Sequence, residues 1–259
     1  MRQLNISFAG AGRVADALCR AFYEAGFRIA QVVSPSGQNG RDLAGKYGAV
    51  WSDKLIFSDN TDIIIVAVPD HLLSEVIENI QCETGTLIAH TAGSYGLEVF
   101  PPRFTGTGVF YPLQTFTKGR RITFRDLPVF IEASGNRPLD ILKSICEKIE
   151  AKVYIADVER RRLLHLSAVF ICNFTNHMIH AGFEIAQKAG FSFDVLMPLL
   201  TETIEKASEL GPGRSQTGPA VRNDMNTIRK QMELLSFSPE LQRVYGEVSE
   251  SIINLNKNS

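Results

Sequence analysis

The residues best suited to bind a ligand form a glycine-rich turn, Gly10-Ala11-Gly12-Arg13-Val14-Ala15, between a β-type run and a helical run. In this spacing Gly10 permits a tight turn, Gly12 lets the backbone approach a pyrophosphate, and Ala15 lets the helix pack closely on the sheet. The phosphates would lie against the free N–H groups and the positive dipole end of that helix. A purely structural turn is the alternative, but the flanking runs favour a dinucleotide site formed by Gly10, Ala11, Gly12, Arg13 and Val14.

The residues after the second β-type run indicate which dinucleotide is bound. An NAD site usually has Asp or Glu about twenty residues beyond the glycine turn, yet no acidic residue occurs between Glu24 and Asp42. The hydroxyl and guanidinium groups found instead belong to Ser34, Ser36 and Arg41, with Arg13 as a further candidate. Because such groups suit a ribose phosphate better than bare ribose hydroxyls, the predicted cofactor is NADP.

Two further strand ends carry residues that could line a ligand cleft. Val68 and Pro69 end an apolar run that begins at Ile63, and Ser94 lies in a small-residue turn after the run 86–90. Ligands of α/β proteins bind at the carboxyl ends of the strands. Val68 and Pro69 are therefore predicted to border the nicotinamide ribose. Ser94 is predicted to contact the substrate, with ordinary loop chemistry as the alternative.

A polar stripe on a long predicted helix could supply acid–base chemistry. Spacings of three and four residues return His165, Val169, Cys172, Asn173 and Asn176 to one helix face. Imidazole titrates near neutral pH, so His165 could donate a proton during reduction of a carbonyl or imine. Asn173 could orient the substrate. The alternative is a hydrogen-bonded polar pair inside a helical core or interface.

These candidates require a particular set of supporting elements. The first half alternates β-type and helical runs, the pattern of a parallel sheet with crossover helices. The predicted strands are 4–9, 28–33, 63–68, 86–90, 108–111, 129–132 and 152–155, and the predicted helices between them are 13–25, 42–47, 71–80 and 138–149. The fold class is thus α/β, with a doubly wound Rossmann domain at 1–156.

After residue 156 the apolar residues recur at helical spacing, which predicts an all-helical domain at 157–259. The predicted helices are 157–189, 194–210, 223–235 and 239–254, with a Gly- and Pro-rich loop before the third. A helix of about thirty residues is long for a globular domain. Such a helix usually spans a domain or a dimer interface, and a homodimer through the helical domain is predicted.

Composition restricts the remaining function classes. Lys and Arg total 27 against 28 Asp and Glu, a net charge of −1, so no broad positive field would attract nucleic acid or membrane. The run Arg160-Arg161-Arg162 is interpreted as a solvated helix face. The four cysteines lack CxxC pairing, and His177 and His180 lack a third ligand, so no metal is expected. With no signal-peptide pattern at the N-terminus, a cytoplasmic location is expected.

Five segments carry a resemblance to known proteins: GAGRVA at 10–15, VAVPD at 66–70, HTAGSYGLEVF at 90–100, FYPLQTF at 110–116 and QTGPAVRND at 216–224. The first four resemble pyrroline-carboxylate reductases, ketopantoate reductases and β-hydroxyacid dehydrogenases. The fifth is similar to the TGPxxRxD motif of a bacterial Rossmann-like family with a helical C-terminal domain of unknown function. The similarity covers essentially the whole chain.

The resemblance implies a Rossmann domain, a helical dimerisation and substrate domain, and a site that includes Gln114, Thr217 and Arg222 as substrate contacts. β-Hydroxyacid dehydrogenases carry Lys and, four residues later, Asn on their first long helix. The stretch from Leu163 to Asn173 has no such lysine, so that mechanism is not expected. The predicted function is NADP-dependent reduction of a small carbonyl or imine. A non-catalytic nucleotide-binding sensor and deazaflavin-linked reduction of NADP remain alternatives.

Overall fold

The computed structural model describes residues 3–35 and 37–257, so the predicted cofactor residue Ser36 lies outside the described residues. The chain forms two compact units, which divide after Asn173. The predicted boundary after residue 156 falls at the end of the last strand, and the first unit also includes the helix that follows. Whether 156 is the functional boundary stays a prediction.

The described part of the first unit contains eight strands in one sheet. They are β1 (Asn5–Ala9), β2 (Arg28–Val33), β3 (Val50–Ser52), β4 (Ile63–Val66), β5 (Leu87–His90), β6 (Thr107–Pro112), β7 (Pro128–Ala133) and β8 (Lys152–Ile155). Their order is β3-β2-β1-β4-β5-β6-β7-β8, and neighbours are parallel except β6 and β7. The predicted α/β fold is confirmed. The strand β3 was not predicted, and neither was the antiparallel pairing of β7 with β6.

Helices cover both faces of the sheet, which explains why the strand β4 is apolar throughout. The helices are α1 (Arg13–Glu24), α2 (Gly37–Lys46), α3 (Leu73–Glu78) and α4 (Asn136–Lys148). Ile63 and Ile65 of β4 join one apolar core, and Ile64 and Val66 join the other. Successive side chains of a strand point to opposite faces, so a strand buried on both sides must be apolar throughout.

The strand order creates a crevice at one edge of the sheet. The chain runs from β1 outward to β2 and β3, then returns to β4 on the other side of β1. Such a reversal separates the loops at the carboxyl ends of β1 and β4, and ligands of open α/β sheets bind there. The predicted glycine turn follows β1, so it lies at this crevice.

A long helical stretch follows β8, as predicted, but it contains an irregularity. It consists of α5 (Val158–Ala168), a π-helical segment (Val169–Phe174) and α6 (Thr175–Lys188). Asp157 begins it by accepting a hydrogen bond from the backbone N–H of Arg160. A π-helical turn holds more residues than an α-helical turn and is frequent at functional sites. The predicted stripe of polar residues therefore departs from regular helical spacing beyond Ala168.

The described part of the second unit is helical, as predicted. Besides α6 it contains α7 (Met197–Leu210), α8 (Pro212–Ser215), α9 (Met225–Leu234) and α10 (Pro239–Lys257). The short α8 occupies part of the stretch predicted to be a loop. Across the described ranges, no helix combines the length and apolar character needed to cross a membrane.

Candidate functional site

Gly10 is a glycine because both its backbone angle and its neighbours exclude a side chain. Its φ is +113°, and a Cβ atom there would lie 2.2 Å from the carbonyl oxygen of Ala67. The Gly10 N–H donates to the carbonyl of Val33 at 2.8 Å. These contacts join the turn after β1 to the ends of β2 and β4, which gives the tight turn predicted for this position.

Gly12 is a glycine for a different reason. It caps the N-terminus of α1 with φ of −82°, an angle open to any residue, and apart from the glycine and its chain neighbours no heavy atom of the described residues lies within 4 Å of the position of its missing Cβ. As a glycine it offers no side chain that could cap the free N–H groups of the helix. Neither the backbone nor the packing requires a glycine at this exposed position. The open space over a helix N-terminus fits a bound pyrophosphate.

Two of the predicted ribose-phosphate residues, Ser34 and Arg41, lie near the end of β2. Ser34 follows β2 and is almost fully buried, with its N–H donating to the carbonyl of Ser52. The guanidinium of Arg41 stacks over the Trp51 ring at 4.3 Å, and Arg13 is exposed at the start of α1. A stacked guanidinium keeps its N–H edge free for an anion. Ser34 and Arg41 thus lie on elements that meet at this end of the sheet.

Val68 and Ser94 lie where the loops after β4 and β5 meet. A Cβ on Gly10 would be 3.2 Å from Val68 Cγ1, so Val68 borders the glycine turn, and Pro69 is exposed beside it. The Ser94 hydroxyl donates to the Asp70 carboxylate, two residues beyond Val68. The predicted nicotinamide residues and the predicted substrate residue Ser94 are therefore linked through Asp70.

His90, the last residue of β5, shapes the turn that carries Ser94. One ring nitrogen, Nδ1, accepts from the N–H of Ala92, and the other, Nε2, lies 3.2 Å from the carbonyl of Gly96. The ring is fully buried, and this burial lowers the pKa of His90 to about 4. His90 is thus a neutral structural residue with its Nε2 proton directed to a carbonyl oxygen.

Two consecutive arginines of α5 attach this helix to the same turn. Arg161 is fully buried, donates to the Glu132 carboxylate and the carbonyl of Ala156, and reaches the carbonyl of Tyr95 at 2.8 Å. Arg162 donates from Nε to the carbonyl of Ser94 at 2.8 Å. The interpretation of this arginine run as a solvated face is wrong for Arg161, because the partly buried carboxylate of Glu132 and two carbonyl groups compensate the loss of water.

His165 lies one helical turn after Arg161 and contacts a residue that the sequence analysis did not select. Its Nδ1 atom is 2.9 Å from the hydroxyl of Tyr111, at the end of β6. A Cβ on Gly93 would lie 2.8 Å from Tyr111 Cζ and 3.1 Å from His165 Nδ1, so Gly93 lets both rings approach the turn. Tyr111 could have been found from its location at a strand's carboxyl end, the same criterion that selected Val68.

A cavity of about 380 Å³ brings the predicted catalytic residues together within the first unit. It is lined by Tyr111, Leu113, Gln114, Thr115, Leu164, His165, Ser167, Ala168, Val169, Ile171, Cys172 and Asn173. The π-helical segment supplies Asn173, and the loop after β6 supplies Gln114. The cavity therefore combines apolar walls with the hydrogen-bonding groups of His165, Asn173, Tyr111 and Gln114, an arrangement typical of small-molecule sites.

The remaining predicted substrate residues, Thr217 and Arg222, belong to the second unit, where both side chains are exposed. The neighbouring Asp224 has a structural role, because it caps α9 and accepts hydrogen bonds from the N–H and hydroxyl of Thr227. These bonds hold the pKa of Asp224 below its usual value. In the described ranges, no three His, Cys, Asp or Glu side chains cluster as a metal site.

Comparison with protein families matches both halves of the chain. A family described as a Rossmann-like domain matches residues 1–115, and a domain of unknown function, DUF2520, matches residues 127–252. A search among curated proteins finds no match. The DUF2520 match begins before β7, so it includes β7, α4 and β8 as well as the helices that follow.

Among solved structures, a Bacteroides fragilis protein named "putative NADP oxidoreductase" is 40% identical, with a TM-score of 0.89 over 97% of this chain and 98% of that chain. More distant folds include an imine reductase from Myxococcus stipitatus in complex with NADP⁺, with 15% identity, a TM-score of 0.61 and coverage of 98% and 93%. A pyrroline-5-carboxylate reductase from Streptococcus pyogenes has 12% identity, a TM-score of 0.61 and coverage of 97% and 99%.

The two distant structures show the same fold, and the Bacteroides fragilis relative extends the likeness to sequence over nearly all of both chains. The resemblance inferred from the sequence motifs is confirmed. The chain belongs to the family in which a Rossmann-like domain is joined to a DUF2520 domain.

Proposed function

We propose that this protein is an NADP(H)-dependent oxidoreductase that reduces a small carbonyl or imine compound by hydride transfer. The observation that carries the proposal is the open space over Gly12 at the crevice between β1 and β4. The name of the Bacteroides fragilis relative, which includes NADP oxidoreductase, supports the same class. The cavity lined by His165 and Asn173 gives such a reaction a site in the same unit.

The residues of the first unit fit a dinucleotide along this edge of the sheet. The pyrophosphate would lie on the first turn of α1, against Gly10, Ala11, Gly12, Arg13 and Val14. Val68 and Pro69 would border the nicotinamide ribose. Bound NADPH would supply the hydride for the carbon of the C=O or C=N bond. The protein would hold the substrate beside it and exclude water.

Selectivity for NADP over NAD would come from the other end of the cofactor. The stacked guanidinium of Arg41 could pair with a ribose phosphate through two parallel hydrogen bonds. Ser34 adds a hydroxyl at the end of β2, where an NAD site would have a carboxylate. Ser36 keeps its predicted role, and Arg13 offers a second positive charge at the start of α1.

His165 is the proposed proton donor, and Asn173 is proposed to orient the polar atom of the substrate. His165 as imidazolium would give a proton from Nε2 to the oxygen or nitrogen that gains electrons when hydride arrives. Gln114 and Ser94 are proposed substrate contacts from the first unit. Thr217 and Arg222 are proposed contacts from the second unit.

The test is oxidation of NADPH by the purified protein with a panel of aldehydes, ketones, 2-keto acids and cyclic imines. We expect turnover with at least one class, and loss of turnover in the Gly12→Val variant. Binding of NADPH without oxidation by any compound would instead support the nucleotide-binding sensor. Reduction of NADP⁺ only with a reduced deazaflavin would support the deazaflavin alternative. Absence of any NADPH binding would overturn the proposal.

We also propose that the protein forms a homodimer through its helices. Large apolar side chains are exposed on α5 and the π-helical segment, including Leu163 at 68% and Ile171 at 76%. Leu199 and Ile204 of α7 are exposed by 65% and 52%. A monomer rarely leaves so many apolar groups in water. Light scattering should give twice the chain mass, and a monomer at micromolar concentration would refute the dimer.

A further inference from the structure

The proposed function assigns no role to Tyr111, which forms a hydrogen bond with the proposed proton donor His165. Tyr111 is 9% exposed, and its hydroxyl lies 2.9 Å from Nδ1 of His165. The two rings meet edge to face, with centroids 6.0 Å apart and planes at 68°. Both rings occupy the space that a side chain at position 93 would need, because a Cβ there would lie 2.8 Å from Tyr111 Cζ and 3.1 Å from His165 Nδ1. The glycine therefore permits this arrangement of the two rings.

The hydrogen-bond inventory decides which atom of this pair carries the proton. A phenol has one proton to donate, and neutral imidazole has one N–H and one acceptor nitrogen. Within residues 3–35 and 37–257, Nδ1 of His165 is the one acceptor bonded to the Tyr111 hydroxyl. If Nδ1 carried the proton instead, the Tyr111 oxygen would accept it, and the phenol proton would have no acceptor among the described protein groups. A donor left without a partner in a buried site costs up to about 1–3 kcal/mol.

The burial of Tyr111 and the negative charge of Asp70 also favour a protonated Tyr111 hydroxyl. Burial raises the pKa of Tyr111, and the negative charge of Asp70 raises it further. Asp70 is kept near this turn by the hydroxyl of Ser94. The phenol therefore keeps its proton throughout the neutral pH range and remains a donor to the imidazole.

We propose that Tyr111 is a positioning residue that holds neutral His165 in the tautomer with its proton on Nε2. That proton is then available to a ligand in the cavity lined by His165, Gln114 and Asn173. When the ring gains a second proton, it resides on Nδ1, and Nε2 still carries a proton. His165 thus presents an N–H group to the cavity in both states. The catalytic consequence rests on the proposed reduction, where this N–H would bind the substrate's oxygen or nitrogen.

The test measures the tautomer directly. Protein labelled with ¹⁵N-histidine is compared as wild type and as Tyr111→Phe, which keeps the ring but removes the hydroxyl. The ¹⁵N shifts of the two imidazole nitrogens distinguish a protonated from an unprotonated atom. A His165→Gln spectrum assigns the His165 signals. We expect the Nε2–H tautomer in the wild type and a mixture of tautomers in the Phe variant.

His90 is the internal control, because backbone groups on both of its nitrogens fix its Nε2–H tautomer independently of Tyr111. Its signals should not change in the Phe variant. The proposal is overturned if wild-type His165 carries its neutral proton on Nδ1, or if its tautomer is unchanged in the Phe variant. Should the Phe variant not fold, the wild-type spectrum alone decides.

Kinetics separate this inference from the proposed function. In a substrate assay Tyr111→Phe should change kcat, because it changes which imidazole nitrogen of His165 holds the proton, and should leave NADPH affinity unchanged. If no compound is reduced by the wild type, the proposed function fails while the tautomer result stands. If the wild type turns over and the Phe variant matches it with the same tautomer, the inference fails alone.

Discussion

Two glycines of the same turn should respond to substitution in opposite ways. Gly12→Val should abolish NADPH binding and leave the first unit folded. At Gly12 the φ of −82° suits valine, and in the described part of the chain nothing but the adjoining backbone lies within 4 Å of the new Cβ. The remaining cost is that valine caps a helix less well than glycine, about 1 kcal/mol or less. The valine methyl groups would occupy the space through which the pyrophosphate approaches.

Gly10→Ala is the matched contrast. The φ of +113° and the 2.2 Å approach to the Ala67 carbonyl oxygen require backbone movement. Backbone strain and overpacking each cost about 1–3 kcal/mol, so we expect a loss of about 2–6 kcal/mol. Calorimetric titration with NADPH and urea unfolding measure both variants. A folded Gly12→Val protein with unchanged NADPH affinity, or a Gly10→Ala protein as stable as wild type, would refute the reasoning.

Three further predictions follow from the site. NADPH should bind at least several-fold more tightly than NADH, and Ser34→Asp or Arg41→Ala should reduce the ratio; equal wild-type affinities in a titration would contradict this. His165→Ala should lower turnover by two to four orders of magnitude without weakening NADPH binding, whereas Asn173→Ala should affect both kcat and KM; loss of stability alone would indicate a structural pair. Because the pKa of His90 is about 4 in the fold against an ordinary 6.5, the unfolded state binds more protons between these values. Stability should therefore fall by roughly 3 kcal/mol as the pH drops from 6.5 to 4, and urea unfolding of a His90→Asn variant should lack that component.

The parts of the fold that the sequence predicts well are those with strong local signals. The all-apolar run from Ile63 identifies a strand buried on both faces, and Gly10 and Gly12 identify the turn before α1. The strand Val50–Ser52 has three residues, and Val50 is exposed, so no periodicity marks it. The strand β7 was predicted, but its antiparallel direction was missed because strand direction depends on the path of the chain and not on local pattern.

In the candidate site, too, features with a local sequence signal were predicted and features that depend on distant residues were not. His165 and Asn173 were predicted to point together, and both line one cavity, although Asn173 belongs to a π-helical segment that no sequence pattern indicated. The burial of Arg161 depends on Glu132, which is distant in sequence and reaches it only through the folded sheet. A run of like charges predicts a solvated helix face unless an oppositely charged partner such as Glu132 is known. Long-range pairing is therefore what sequence patterns could not supply.

A crystal structure of the protein grown with NADPH tests the proposed cofactor site most directly. We expect the pyrophosphate on the first turn of α1 beside Gly12, the ribose phosphate near Arg41, and the nicotinamide beside Val68 within reach of the cavity that contains His165. NADPH bound elsewhere, or an empty site at saturating NADPH, would contradict it.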